Sequence, residues 1–287
     1  MSYGKAILGD NQFLGVNHAN QAKAAELFER FKNPDAIIEV IGFAYEAGVR
    51  DFMFTTHDRY EPVFDEARRS NLFPGMYYTP CLPYAHKYWN KLSDLGPVGM
   101  LASTLSQINS VTLVPAALGL LIGNTKGITR LLTEIEILMC KGLPVRGVFL
   151  LNLAFDFLMS MELNGIVEKF ADVVQNKLGI HPGFFTMNHS TATDFLCDKV
   201  GISKPWICAN YNIDGFRMHP SQAICEASFA SGRSSNIAMS VLASGRASPG
   251  DAINYVLDHM KKGNVDAIIF GSASRKNILS NVNKILG

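Results

Sequence analysis

The chain has 287 residues, 48% hydrophobic and 18% charged, a balance that supports a sizeable core and excludes a disordered polymer. Its 26 basic and 25 acidic residues leave a formal charge of +1 with no run of one sign, which argues against a nucleic-acid partner. The five cysteines are odd in number and include no C-x-x-C pair, the usage of a reducing compartment and not of a disulfide scaffold or zinc clip.

In chain order, short apolar runs alternate with helical patterns. The N-terminal MSYGKAILGDNQ lacks the apolar core of a signal peptide, so a cytoplasmic location is expected. Strands are predicted at 6–9, 51–55, 76–80, 146–151, 183–187, 206–209, 237–242 and 266–270, all nearly continuously apolar, as parallel strands covered on both faces are. Between them, Asn33-Pro34-Asp35 and Ser248-Pro249 read as helix starts, and Ser274 as the cap of a last helix whose inward face is Ile278, Val282 and Ile285. Residues 89–141 exceed one strand-to-helix connection and predict a helical insertion between the third and fourth strands. Within it, 111–123 (VTLVPAALGLLIG) is apolar but too short to span a bilayer and broken by Pro115. It predicts a buried cover, or a surface for a homo-oligomer, and no membrane partner.

Eight strand–helix units without an early glycine fingerprint predict an α/β fold, a (β/α)8 TIM barrel forming one domain over 1–287. In such a barrel the residues after each strand converge on one rim. Those residues are Asp10 and Asn11 with Gln12, then His57, Asp58 and Arg59, then Cys81, Asn152, Asn188 and His189, and Asn210, Tyr211 and Asn212. His57 with Asp58 has the make-up of an acid–base pair, the carboxylate setting the imidazole tautomer. Asp10, His57 and His189 are the weaker alternative of a divalent-metal set, without ligand spacing to support it. The loop Gly271, Ser272, Ala273, Ser274 leads into a helix N-terminus beside Arg275 and Lys276, the make-up of an anion site.

The segment 271–282 (GSASRKNILSNV) resembles the stretch after the eighth strand of the aldo-keto reductases. SVLASGRASPGDAINYVL resembles their seventh strand and following helix, and FTMNHSTATDFL, ANYNIDGFRM and AYEAGVRDFMFTTHDRY resemble their fifth, sixth and second. The resemblance implies an aldo-keto reductase-like barrel that binds NADP, with Gly271, Ser272, Ser274 and Arg275 at its phosphate and Asn281 near its adenine. It also implies a tetrad of aspartate, tyrosine, lysine and histidine, from which this chain departs. Phe54 stands at the aspartate position, Tyr60 lies one residue late, Pro80 or Cys81 replaces the lysine, and Asn152 replaces the histidine. A tyrosine without the lysine–aspartate pair keeps a pKa near ~10 and is a poor acid at neutral pH.

The pattern points to an enzyme acting on a small polar, phosphorylated or unphosphorylated metabolite by acid–base chemistry of an isomerase or lyase kind. His57 moves the proton, Asp58 orients it, Asp10 and Asn152 hold substrate hydroxyls, and Arg59 or Arg275 holds an anionic group. Asn11, Cys81, Asn188, His189, Asn210 and Tyr211 line the substrate site. Two alternatives stand beside it: an NADPH-dependent oxidoreductase with Tyr60 or His57 as a rebuilt proton donor, and a non-catalytic barrel serving as a binding subunit through its apolar segment.

Overall fold

Eight parallel strands close on themselves in sequence order, β1 (Ala6–Leu8), β2 (Asp51–Thr55), β3 (Tyr77–Leu82), β4 (Gly147–Leu150), β5 (His181–Thr186), β6 (Trp206–Asn210), β7 (Ser235–Met239) and β8 (Ala267–Phe270), with β8 pairing back onto β1. The computed structural model describes residues 2–16, 20–83 and 125–287. Helices cover the barrel: α1 (Gln21–Arg30), α2 (Pro34–Glu46), α3 (Glu61–Ser70), α4 (Thr125–Ile137), α5 (Asn152–Ser160), α6 (Asn164–Asp172), α7 (His189–Asp194), α8 (Gln222–Ala230), α9 (Pro249–Lys261) and α10 (Arg275–Leu286). α4 falls inside the predicted insertion; the apolar 111–123 run lies outside the described residues. Among the described residues no helix is long and apolar enough to cross a membrane.

Two strands end two or more residues from where they are predicted to. β3 runs through Pro80 to Leu82, because a proline removes only one ladder donor and the Leu82 carbonyl still accepts the Leu151 N–H at 2.8 Å. β7 stops at Met239, because Ser240 turns to φ 55°. The helix start at Asn33 is as its side chain dictates, the oxygen accepting the Asp35 N–H. At Ser248 and Ser274 the residue sits at the N-cap but its hydroxyl makes no cap bond. Ile278, Val282 and Ile285 are buried, as their spacing requires.

Alternation along each strand separates two apolar layers. Outward residues such as Phe52, Phe54 and Ile207 pack under the helices. Inward residues, including Ile7, Met53, Cys81, Phe149, Cys208 and Ile237, fill the lumen. The Phe149 ring occupies that lumen so fully that a Cβ on Gly183 would clash with it. Gly183→Ala is therefore expected to cost about 2 kcal/mol, and Phe149→Leu in the same chain to recover much of it, both read from urea unfolding.

Candidate active site

Asp10 follows β1 and is 8% exposed. Its Oδ2 accepts the Thr55 N–H at 2.7 Å, at the end of β2, and the Tyr60 hydroxyl at 3.1 Å. Burial pushes its carboxyl above the usual carboxylate range, while those hydrogen bonds work in the opposite direction.

His57 stands two residues beyond Thr55, half-buried at the rim. Its Nδ1 accepts the Arg59 N–H at 3.0 Å, so the neutral ring carries its proton on Nε2. The Arg59 amide thus performs the tautomer-setting expected of Asp58, whose own side chain is exposed. Arg59 is committed elsewhere: Nη1 donates to the Phe13 carbonyl, and the guanidinium lies 4.6 Å from the Phe28 ring centroid.

Tyr60, the expected proton donor, is fully buried among Phe13, Phe52, Phe54 and Phe64. Its hydroxyl donates to Asp10, and burial together with the adjacent carboxylate drives its pKa well above that of a free phenol. Both effects oppose what a proton-donating tyrosine requires.

His189 is a clear correction. The residue after β5 begins α7 and turns away from the mouth, into the layer between sheet and helices. Its Nδ1 meets the Ser228 hydroxyl at 2.8 Å, its Nε2 meets Asn236 Oδ1 at 2.9 Å, and the ring lies 3.9 Å from that of Phe229. Burial lowers its pKa to about 4. It does not join Asp10 and His57, and among the described residues no three His, Cys, Asp or Glu side chains gather at metal-binding spacing. Tyr211 likewise faces outward, its hydroxyl 2.8 Å from His259 Nδ1. Cys81 sits inside the lumen with Phe149 and Cys208, and burial pushes its thiol up, so it packs and presents no nucleophile to the rim.

The mouth itself is more apolar than the sequence suggests. Leu151, Phe185, Met239 and Ile269 lie at the strand ends of the lumen. Asn210, two residues beyond inward-facing Cys208, adds a polar group, its amide donating to the Arg217 carbonyl at 3.1 Å and to Met187 Sδ at 3.4 Å. Asn152 opens α5 and Asn188 caps α7 through the Thr191 N–H, both half-buried; Asn11 is exposed. Asp156, which sequence reasoning missed, accepts the Thr186 hydroxyl at 2.6 Å and the Met187 N–H at 3.0 Å, tying α5 to the end of β5. Its signal was a carboxylate inside the apolar run LNLAFDFL, a residue type rarely enclosed without partners.

After β8, Gly271 and Ser274 are exposed and Ser272 and Asn281 half-buried. Ser272 Oγ accepts the Ser274 N–H at 3.3 Å, and Arg275 reaches sideways to Glu46 on α2 at 3.3 Å. Below the loop, Gln12 donates to the Gly9 carbonyl at 2.7 Å, and its buried Oε1 has no hydrogen-bond partner among the described residues.

The sequence matches no protein-family model and no curated protein. Solved structures do match. A Pseudomonas aeruginosa protein assigned as an aldo-keto reductase is 12% identical, with 99% of this chain and 90% of that one covered and a TM-score of 0.59. A thermostable aldo-keto reductase solved with the inhibitor epalrestat is 12% identical, covering 98% of this chain and 89% of that one at a TM-score of 0.56. An aldo-keto reductase from Brucella melitensis is 12% identical, covering 89% and 86% at 0.53. At such identities the shared property is architecture, and the chain has the barrel fold of the aldo-keto reductases.

Proposed function

We propose that this barrel is an acid–base enzyme of isomerase or lyase type, acting on a small metabolite with polar groups at the strand C-termini. The observation that carries the reading is Asp10: a carboxyl enclosed at the rim, raised above its ordinary range, and clasped by one backbone N–H and one phenol. Perturbed titration at a barrel rim is characteristic of groups that exchange protons with substrate. Asp10 takes and returns the proton, and His57 offers Nε2–H to the developing oxyanion from the neighbouring strand end. Asn152 and Asn188 hold hydroxyls.

The loop after β8 fits the phosphate end of an NADP in part. The Ser274 hydroxyl makes no cap bond, so the cap residue leaves the first-turn N–H groups of α10 to other acceptors, and Ser272, Arg275 and Asn281 lie alongside. Bound there, the nucleotide would supply hydride transfer. The phenol of Tyr60, directed into Asp10 and packed in aromatics, is not available as that reaction's proton donor and leaves only His57 for the role, which favours the acid–base reading.

The test is solvent exchange. Incubation with small hydroxycarbonyl compounds and their phosphate esters in deuterated water should place deuterium in one of them, read by mass spectrometry. Asp10→Asn should lower the exchange rate by at least about 100-fold. Oxidation of NADPH at a rate untouched by Asp10→Asn, with no deuterium incorporated, overturns the proposal in favour of a reductase.

A further inference from the structure

Two arginines at the mouth differ from all the others in the chain. Arg217 follows β6 and Arg246 follows β7, and both are exposed. Both lie against one ring, that of Phe216, at 5.1 and 4.8 Å from its centroid, which sets the two charges within about one Debye length of each other at 0.1 M salt. Neither makes a side-chain hydrogen bond or an ion pair among the described residues. Each remaining arginine donates to a protein oxygen, as Arg59 does to Phe13, Arg146 to Asp51 and Arg233 to Asp194. Like charges brought together without a counter-charge repel, so the arrangement costs stability until an anion enters.

The loops that carry them are held in place. Asn212, fully buried, accepts the Phe216 N–H at 2.7 Å and returns its amide to the Phe216 carbonyl at 2.9 Å. Asn210 holds the Arg217 carbonyl. The backbone is strained where it presents the side chains: Arg217 has φ 55°, and before Arg246 the residues Ser240, Ala243 and Ser244 have φ 55°, 47° and 59°. Non-glycine residues persist in that region when the surroundings enforce it, most often beside a ligand site.

We infer that Arg217 and Arg246, seated on Phe216, form a clamp for a dianionic phosphate ester, and that the substrate of the proposed reaction carries that group. Guanidinium forks match phosphate oxygens in pairs, and pre-set loops spare the ordering cost. The assignment rests on the mouth being the reaction site, and it replaces Arg59 and Arg275 as the anion anchor, since both are already engaged.

Titration calorimetry with glycerol 3-phosphate, inorganic phosphate and NADPH tests it on the whole chain. Arg217→Gln and Arg246→Gln should each raise the Kd for glycerol 3-phosphate at least tenfold, and the double variant about 100-fold. Because neither side chain is bonded to another described residue and the two charges repel, melting temperatures without ligand should hold or rise, and Arg69→Gln on α3 controls for net charge. Asp10→Asn should keep the phosphate affinity while losing solvent exchange, so the two proposals fail separately. Glycerol 3-phosphate that does not bind, or binds the double variant as well as the parent, overturns the clamp. Loss of NADPH affinity alone in the variants assigns the arginines to a nucleotide and overturns their role as substrate anchor.

Discussion

Replacing Arg146 by alanine should destabilise the protein by about 3–5 kcal/mol, as much as truncating a buried aromatic of the core. Arg146 precedes β4 at the N-terminal end of the barrel, opposite the mouth. Its Nε donates to Asp51 Oδ1, its Nη1 to the Ser2 carbonyl at 2.9 Å, and its guanidinium lies 3.8 Å from the Tyr77 ring centroid. Asp51 is 1% exposed, and its other oxygen accepts the Gly4 N–H at 3.0 Å. Next in the chain, Tyr3 turns into the barrel floor and meets Trp206 edge-on at 4.9 Å. Removing the cation leaves the Asp51 carboxylate enclosed with one amide donor. Burial already drives its pKa upward against the pull of the Gly4 amide and Arg146, so truncation leaves only that amide to oppose desolvation. Urea unfolding at pH 7 measures the loss. Pairing Arg146→Met with Asp51→Asn should recover most of it, because the penalty comes from the orphaned charge and not from the absent pair. A change below about 1 kcal/mol in the single variant would mean the bottom pair is as weak as a surface bridge.

Acidification should expose the second large effect, through His189. The folded pKa is about 4 and the unfolded value about 6.5. The unfolded chain therefore binds the proton first, so the stability contributed by the buried neutral ring is complete above pH 6.5 and drains away as pH falls towards 4. The loss amounts to about 3 kcal/mol by linkage. Protonation has no outlet in the fold: Asn236 Oδ1 and the Ser228 hydroxyl already occupy both nitrogens, and Phe229 covers a face. Carboxylates elsewhere also titrate in this window, so the comparison is with His189→Gln, which removes the ionisation but keeps hydrogen-bonding capacity. The parent should lose about 3 kcal/mol more than the variant between pH 7 and pH 4 in matched urea titrations. Parallel losses would show that this imidazole titrates as a solvent-exposed one does.

Both results concern residues that the residue pattern misassigns or passes over, and the reason is geometric. His189 groups with Asp10 and His57 in the sequence because each follows a strand. A strand-end position does not say whether the next side chain enters the lumen or the helix layer, since one residue of register exchanges the two faces. Tyr211 is subject to the same ambiguity. Cys81 does point inward, but to a depth in the lumen that its place in the chain does not reveal.

The architecture, by contrast, is written in local signals. Nearly continuous apolar strands at eight places, helix starts such as Asn33-Pro34 and the Ile278, Val282, Ile285 face are each read within a few residues, and together they suffice for a closed parallel barrel. Asp10 and His57 can be singled out too, because strand order alone sets them on the rim. Which polar groups are already spent is settled only in three dimensions. Tyr60 donates its hydroxyl hydrogen bond to a carboxylate 50 residues away, Arg59 and Arg275 turn to Phe13 and Glu46, and Arg217 and Arg246 are left, among the described residues, with only an aromatic ring. Hydrogen bonds and charges are satisfied through space between residues far apart in the chain, so no local pattern could tell an engaged arginine from one still awaiting an anion.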